Sequence, residues 1–226
     1  VDTTNNTAMF NGILTFMLYV LMYLLIIVLV VFMQLATRKI PVQYTSSSMT
    51  KGRNDMTYLP LKINSASVIP VIFASAIMTA PLTIMSFFEA NSFTTTLNNI
   101  LSLQKGLCIY AVLIVLFTFF YTNLQVDPEK IAENLGKSGT YIPGIRPGTE
   151  TREYLSKVLN RITVLGAIFL VFIALLPYIL PMVTNLPSSV SMGGTGIIIV
   201  VGVAMETMSQ LKGQLTQKSY RGFIQK

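Results

Sequence analysis

The chain holds no histidine and one cysteine, Cys108, so neither a Ser–His–Asp triad nor a Cys–His pair can be assembled from it. The same shortage argues against a zinc site and excludes a disulfide within the chain. No cofactor motif is present, and the glycine run Gly193-Gly194-Thr195-Gly196 lacks the lysine of a phosphate loop. Glu206 is the only acid well inside an apolar stretch. A lone carboxylate of that kind is a functional candidate, yet near the end of its segment it can also reach the interface or cap a neighbour. Arg146 is the other side chain with chemistry to offer. Pro147 biases it to an extended backbone, and Gly144 and Gly148 bracket it. The result is a stiff tip presenting one guanidinium, suited to a carboxylate, a carbonyl or an RNA phosphate. The alternative is a solvated loop arginine. None of this makes an enzyme.

The elements that carry these residues are written in the composition. Of 226 residues, 52% are apolar and 11% charged, against about 25% charged in a soluble domain. That balance indicates an integral membrane protein. Five apolar segments approach the roughly 20 residues a membrane helix needs: 12–36, 67–88, 106–126, 162–183 and 193–211. Pro70, Pro81, Pro177 and Pro181 interrupt two of them. Discontinuous transporter helices would place charge or unwound glycine-rich backbone at mid-membrane, and only Gly202 offers that, so kinks near span ends are the better reading. Asn64 and Ser75 can hydrogen-bond to a neighbouring helix, worth on the order of 1 kcal/mol.

Fifteen of the sixteen Lys and Arg fall in residues 37–66, 127–161 and 212–226, leaving only Lys105 elsewhere. The positive-inside rule makes those three segments cytoplasmic, with the N-terminus outside. The first of these loops carries Ile40-Pro41-Val42-Gln43-Tyr44 and Met56-Thr57-Tyr58-Leu59-Pro60-Leu61 around a polar stretch, which predicts a protruding hairpin kept at an edge by its prolines. In the second, Asp127-Pro128-Glu129 starts a short helix that should stop at Gly136. A turn-rich segment follows, and Thr149 then caps a helix running through Arg161 into the fourth apolar segment.

Several blocks resemble the SecY family of bacterial protein-conducting channels. They are Arg38-Lys39-Ile40-Pro41-Val42-Gln43-Tyr44, then Leu59-Pro60-Leu61-Lys62-Ile63-Asn64 leading to Val68-Ile69-Pro70-Val71-Ile72-Phe73-Ala74-Ser75. Phe119-Phe120-Tyr121-Thr122, Asp127-Pro128-Glu129 and Ala132-Glu133-Asn134-Leu135 come next. Lys137-Ser138-Gly139, Ile142-Pro143-Gly144-Ile145-Arg146-Pro147-Gly148 and Gly193-Gly194-Thr195 complete the set in family order.

The resemblance implies an all-α integral membrane protein of the bacterial plasma membrane. Its five transmembrane helices match spans six to ten of a pseudo-symmetric ten-helix channel, and the cytoplasmic tail is 212–226. It implies a pore ring at Ile72 and Ile199, where bulky aliphatic groups gasket the passing chain. It also implies a lateral-gate wall with Asn64, Ile69, Phe73 and Ser75, and a docking face for the SecA motor or the ribosome at Arg146, Arg38, Lys39, Lys51 and Arg53. Implied partners are the N-terminal half of the channel, SecE, SecG, signal sequences, nascent polypeptides and membrane lipid. One departure matters: Thr45-Ser46-Ser47-Ser48 stands where the family usually has a basic pair, which shifts the docking burden toward Arg146. The chain opens on Val1 and reads as a fragment, a processed chain or an engineered piece. The alternative is a free-standing five-helix membrane module, insertase-like or a scaffold. An isolated half exposes the surface meant for its other half and should pair as a homodimer.

Overall fold

The computed structural model describes residues 6–44, 57–87, 92–101, 106–184 and 189–224. Lys51, Arg53 and the tip of the first loop lie outside the described residues. The described residues form seven helices and three short strands: α1 (Asn6–Leu35), β1 (Thr37–Tyr44), β2 (Thr57–Lys62), α2 (Ile69–Met85), α3 (Ser92–Leu101), α4 (Leu107–Gln125), α5 (Pro128–Lys137), β3 (Thr140–Tyr141), α6 (Thr149–Thr184) and α7 (Ser189–Ile224). Four of them, α1, α4, α6 and α7, are long and apolar enough to cross a membrane, whereas α2 is apolar but has 17 residues. At 1.5 Å per residue, the 36 residues of α6 and of α7 each reach about 54 Å, well beyond the roughly 30 Å of hydrocarbon. The prolines do not break these helices. Pro70 sits in the first turn of α2, where its missing N–H costs nothing, and α2 continues through Pro81. Likewise α6 continues through Pro177 and Pro181.

Three apolar clusters hold the elements together. The first joins Met22, Ile26 and Val30 of α1 to Val68, to Ile173 of α6 and to Ile198 of α7. In the second, Val71, Ala74 and Met78 of α2 meet Tyr110 and Ile114 of α4 and Leu170 of α6. The third lies at the loop end, where Ile40, Leu61 and Ile142 pack on Leu155, Leu159 and Ile162 of α6. That cluster turns the two long loops into one body.

The loops depart from the sequence reading at three points. First, β1 is the central strand of a sheet ordered β2-β1-β3, so the chain is not purely helical. Gln43 and Tyr44 pair with Tyr141 and Thr140, beyond Pro41, which lies opposite Tyr58 of β2. Second, α5 does not stop at Gly136. It runs to Lys137, and Gly139 supplies the left-handed turn (φ +61°) that ends it. Third, Thr149 is the first helical residue of α6, while the Gly148 carbonyl accepts the opening bond from the Arg152 N–H at 3.1 Å.

The start of α5 is as read. The Asp127 carboxylate accepts from the Glu129 N–H at 3.0 Å, and this bond, helped by Lys130, holds the carboxyl below its ordinary range. A lowered folded pKa means the cap contributes fully above the ordinary value of 3.8 and is lost as pH falls through the folded one. Asp127→Ala should therefore lower the thermal unfolding midpoint at neutral pH, and Asp127→Asn should retain most of it. Equal midpoints for the alanine variant and the parent would show that the cap carries no stability.

Candidate functional site

The start of α2 is set by a buried linker, residues 63–68. It leaves the sheet with the Ile63 N–H bonded to the Ala36 carbonyl at 3.0 Å, then passes between α1, α6 and α7. Two glycines make the passage. A Cβ at Gly166 on α6 would lie 2.9 Å from the Ile63 carbonyl oxygen, and one at Gly202 on α7 would run into the Val68 side chain. Ser67 takes a left-handed backbone (φ +57°), which costs a non-glycine residue energy. Two bonds hold it there: Gln34 Nε2 donates to Ser67 Oγ and Asn64 Nδ2 to the Ser67 carbonyl, each at 3.0 Å.

Asn64 is thus 5% exposed and bound into the linker rather than to a neighbouring helix. Its Oδ1 has no partner among the described residues. The adjoining cavity of about 10 Å³, lined by Val30, Met33 and Leu170 among others, has room for at most one water.

Beyond the linker, α2 presents distinct faces. Val71, Ala74 and Met78 face inward onto α4 and α6. Ile72 packs, half-buried, against the cluster of α1 and α7. Phe73 points outward at 43% exposure, with Phe117 and Tyr121 of α4 beside it at ring distances of 5.8 and 5.6 Å. Ile69 is half-buried at the helix start. Ser75 Oγ bonds to the Ile72 carbonyl of its own helix at 2.9 Å, so it makes no bridge between helices. On α7, Ile199 is half-buried next to the fully buried Ile198. Glu206 is half-buried on the same helix and has no ion pair among the described residues. The sites expected from the sequence therefore separate: Ile69, Phe73 and Ser75 share α2 with Ile72, while Asn64 belongs to the linker.

The second candidate region is the tip between β3 and α6. Ile142 is buried in the loop-end cluster, and the Ile145 N–H closes a turn onto its carbonyl at 3.1 Å. Gly144 (φ +81°) and Gly148 (φ +103°) both use backbone geometry that other residues avoid. Between them stands Arg146, its side chain 88% exposed. Its N–H donates to Glu150 Oε2 at 3.3 Å, and its carbonyl accepts from Thr151 Oγ1 at 2.8 Å. The guanidinium lies 4.0 Å from Glu150 Oε1, a loose solvated pair. Below the tip, Arg152 pairs with Glu129 of α5 at 3.4 Å.

Arg38 and Lys39 are exposed on β1 but belong to its other end. Arg38 is five positions from Gln43, where β3 attaches, or about 17 Å along an extended strand. Of the expected docking residues, Arg38 and Lys39 lie toward the start of β1, and Arg146 follows β3, which pairs with the end of β1.

The sequence pattern does not single out Gln34, Ser67, Gly166, Glu150 or Thr151, and it gives Gly202 no packing role. No local pattern marks a serine in the left-handed region. Glu150 and Thr151 carried a weak signal, as polar residues in the first turn of a helix directly after the turn-rich segment.

Comparison with known proteins places this geometry. The SecY family model matches residues 2–208. Protein translocase subunit SecY of Mycoplasma capricolum is 49% identical over 217 residues, covering 93% of this chain and 45% of that protein. The Staphylococcus carnosus subunit of the same name is 50% identical over 192 residues, covering 83% and 44%. The chain spans a little under half the length of these relatives. Among solved structures, a protein-conducting channel superposes with a TM-score of 0.60 at 17% identity, over 88% of this chain and 49% of the other. A SecY structure described for its plug domain gives 0.57 with the same identity and coverage.

Proposed function

The chain belongs to the SecY family of multi-pass membrane proteins, and from that premise we propose that it forms the C-terminal half of a protein-translocation channel. It is a passive conduit, with no catalytic group of its own. In this reading α1, α2, α4, α6 and α7 are its five spans, the N-terminus lies outside, and the two long loops and the tail face the cytoplasm. Ile72 and Ile199 contribute to the pore constriction, where apolar side chains exclude water around the passing chain. Ile69, Phe73 and Ser75 belong to a wall of the lateral gate through which signal sequences reach lipid. Asn64 serves that wall from the linker by setting where α2 begins. Arg146, with Arg38, Lys39, Lys51 and Arg53, faces SecA or the ribosome. The N-terminal half, SecE and SecG complete the assembly.

The observation that carries this reading is the division of α2. One face packs on α4 and α6, while the exposed Phe73 meets the half-buried Phe117 and Tyr121 in an aromatic strip beside it. An apolar strip at the seam of two helices suits a path for apolar segments.

Split complementation tests the proposal. This chain and a matching N-terminal half are expressed together in cells depleted of their own channel, and export of a secreted reporter is followed. Restored export is the expected result. Absent export, with both halves stable in the membrane, would favour the free-standing five-helix module, and a homodimeric mass for the isolated chain would strengthen that alternative.

A further inference from the structure

We propose that Glu150 and Thr151 are positioning residues that hold Arg146 in place for an acidic protein surface, an inference resting on the docking role given to Arg146 above. Arg146 lies two residues from each of two glycines with positive φ, and glycine restrains the backbone least of all residues, so Pro147 alone does not fix the tip. Both of its peptide groups are nevertheless tied to the first turn of α6. The Glu150 carboxylate takes the N–H and the Thr151 hydroxyl donates to the carbonyl. Thr151 is itself 3% exposed, one turn before the fully buried Leu155, so the tether is anchored in the loop-end core.

With its backbone held at two points and its side chain 88% exposed, the tip is ordered before any partner arrives. Pre-ordering removes part of the entropy cost of docking. The surroundings favour a carboxylate partner over RNA. The neighbouring cations Lys130, Lys137 and Arg152 are each paired with a carboxylate, so the tip offers one guanidinium and not the row of free cations that an extended run of phosphates needs. A single guanidinium can still pair with one carboxylate in the two-pronged manner.

The test measures the affinity of SecA for the assembled channel in lipid nanodiscs, with thermal unfolding followed in parallel. Thr151→Val should weaken binding roughly threefold to tenfold without changing the unfolding midpoint, and Thr151→Ser, which keeps the hydroxyl, should restore it. Glu150→Ala should act likewise and Glu150→Gln, which keeps an acceptor, should not. In an Arg146→Ala background Thr151→Val should have no further effect, which a general structural role would not produce. Should Thr151→Val fail to fold, the Glu150 pair decides, because that side chain is solvent-exposed. Wild-type affinity for Arg146→Ala would remove the docking role itself. Weak binding by Arg146→Ala with tight binding by Thr151→Val and Glu150→Ala would overturn the positioning role alone. A dependence on Thr151 seen with ribosomes and missing with SecA would overturn the choice of an acidic protein surface.

Discussion

Gly202→Ala is expected to destabilise the protein by about 1–3 kcal/mol, the usual cost of forcing an extra group into a filled core. The added methyl would run into Val68, which is 3% exposed and wedged among α1, α6 and α7. Val68 cannot swing aside, because β-branching leaves it few χ1 positions and its backbone is held by the linker. Larger residues at 202 should do worse, to the point of losing folded protein. Val68→Ala in the same chain should recover much of the loss by opening the space the methyl needs, although alone it leaves a cavity. Gly196→Ala on the same helix is the control, since nothing lies within 4 Å of a Cβ there; it should gain up to about 1 kcal/mol from helix propensity. Thermal unfolding in detergent reads all four variants. A Gly202→Ala midpoint equal to that of Gly196→Ala would show that the linker gives way and is not clamped.

Arg146→Glu is the second large effect, and it should appear in export with the fold untouched. The Arg146 side chain is almost wholly in solvent, so its stability contribution is small. At a docked interface, removing one member of a hydrogen-bonded charge pair costs about 2 kcal/mol or more, roughly thirtyfold in affinity. Reversal adds repulsion, both toward an acidic partner and toward Glu150 beside it. SecA-driven export of a reporter should therefore fall by at least about tenfold, while unfolding and membrane insertion match the parent. Export at the parental rate would remove Arg146 from the docking surface.

Much of this was legible in residue order. A membrane helix is a local object: apolar length decides it and every backbone group is satisfied within the segment, so the apolar runs could be read without knowing their neighbours. The α5 start was legible for the same reason, since Asp127, Pro128 and Glu129 act on one helix turn. The stop at Gly136 failed because a glycine inside a helix costs only about 1 kcal/mol. Both Gly136 and Gly139 fit a helix end, and the pairing of Thr140 with Tyr44 draws the chain onward to the second.

The roles of single side chains were less legible. Asn64 and Ser75 both look like polar groups available to a neighbouring helix, yet one holds the linker and the other bonds within its own turn. Arg146 was identified as a stiff tip from Gly144, Pro147 and Gly148, but the groups that stiffen it are two side chains of the next helix.

The sequence by itself determined the class of protein, the apolar runs, the basic bias of the long loops and the family. Each follows from composition or from contacts within a few residues. Only the tertiary structure decided that β1 is a central strand, that Gly166 and Gly202 exist to let residues 63–68 pass, and that Ser67 is held in a strained geometry by Gln34 and Asn64. These depend on groups between 3 and more than 130 positions apart meeting in one place. A close approach between two backbones leaves no trace in the pattern of either one.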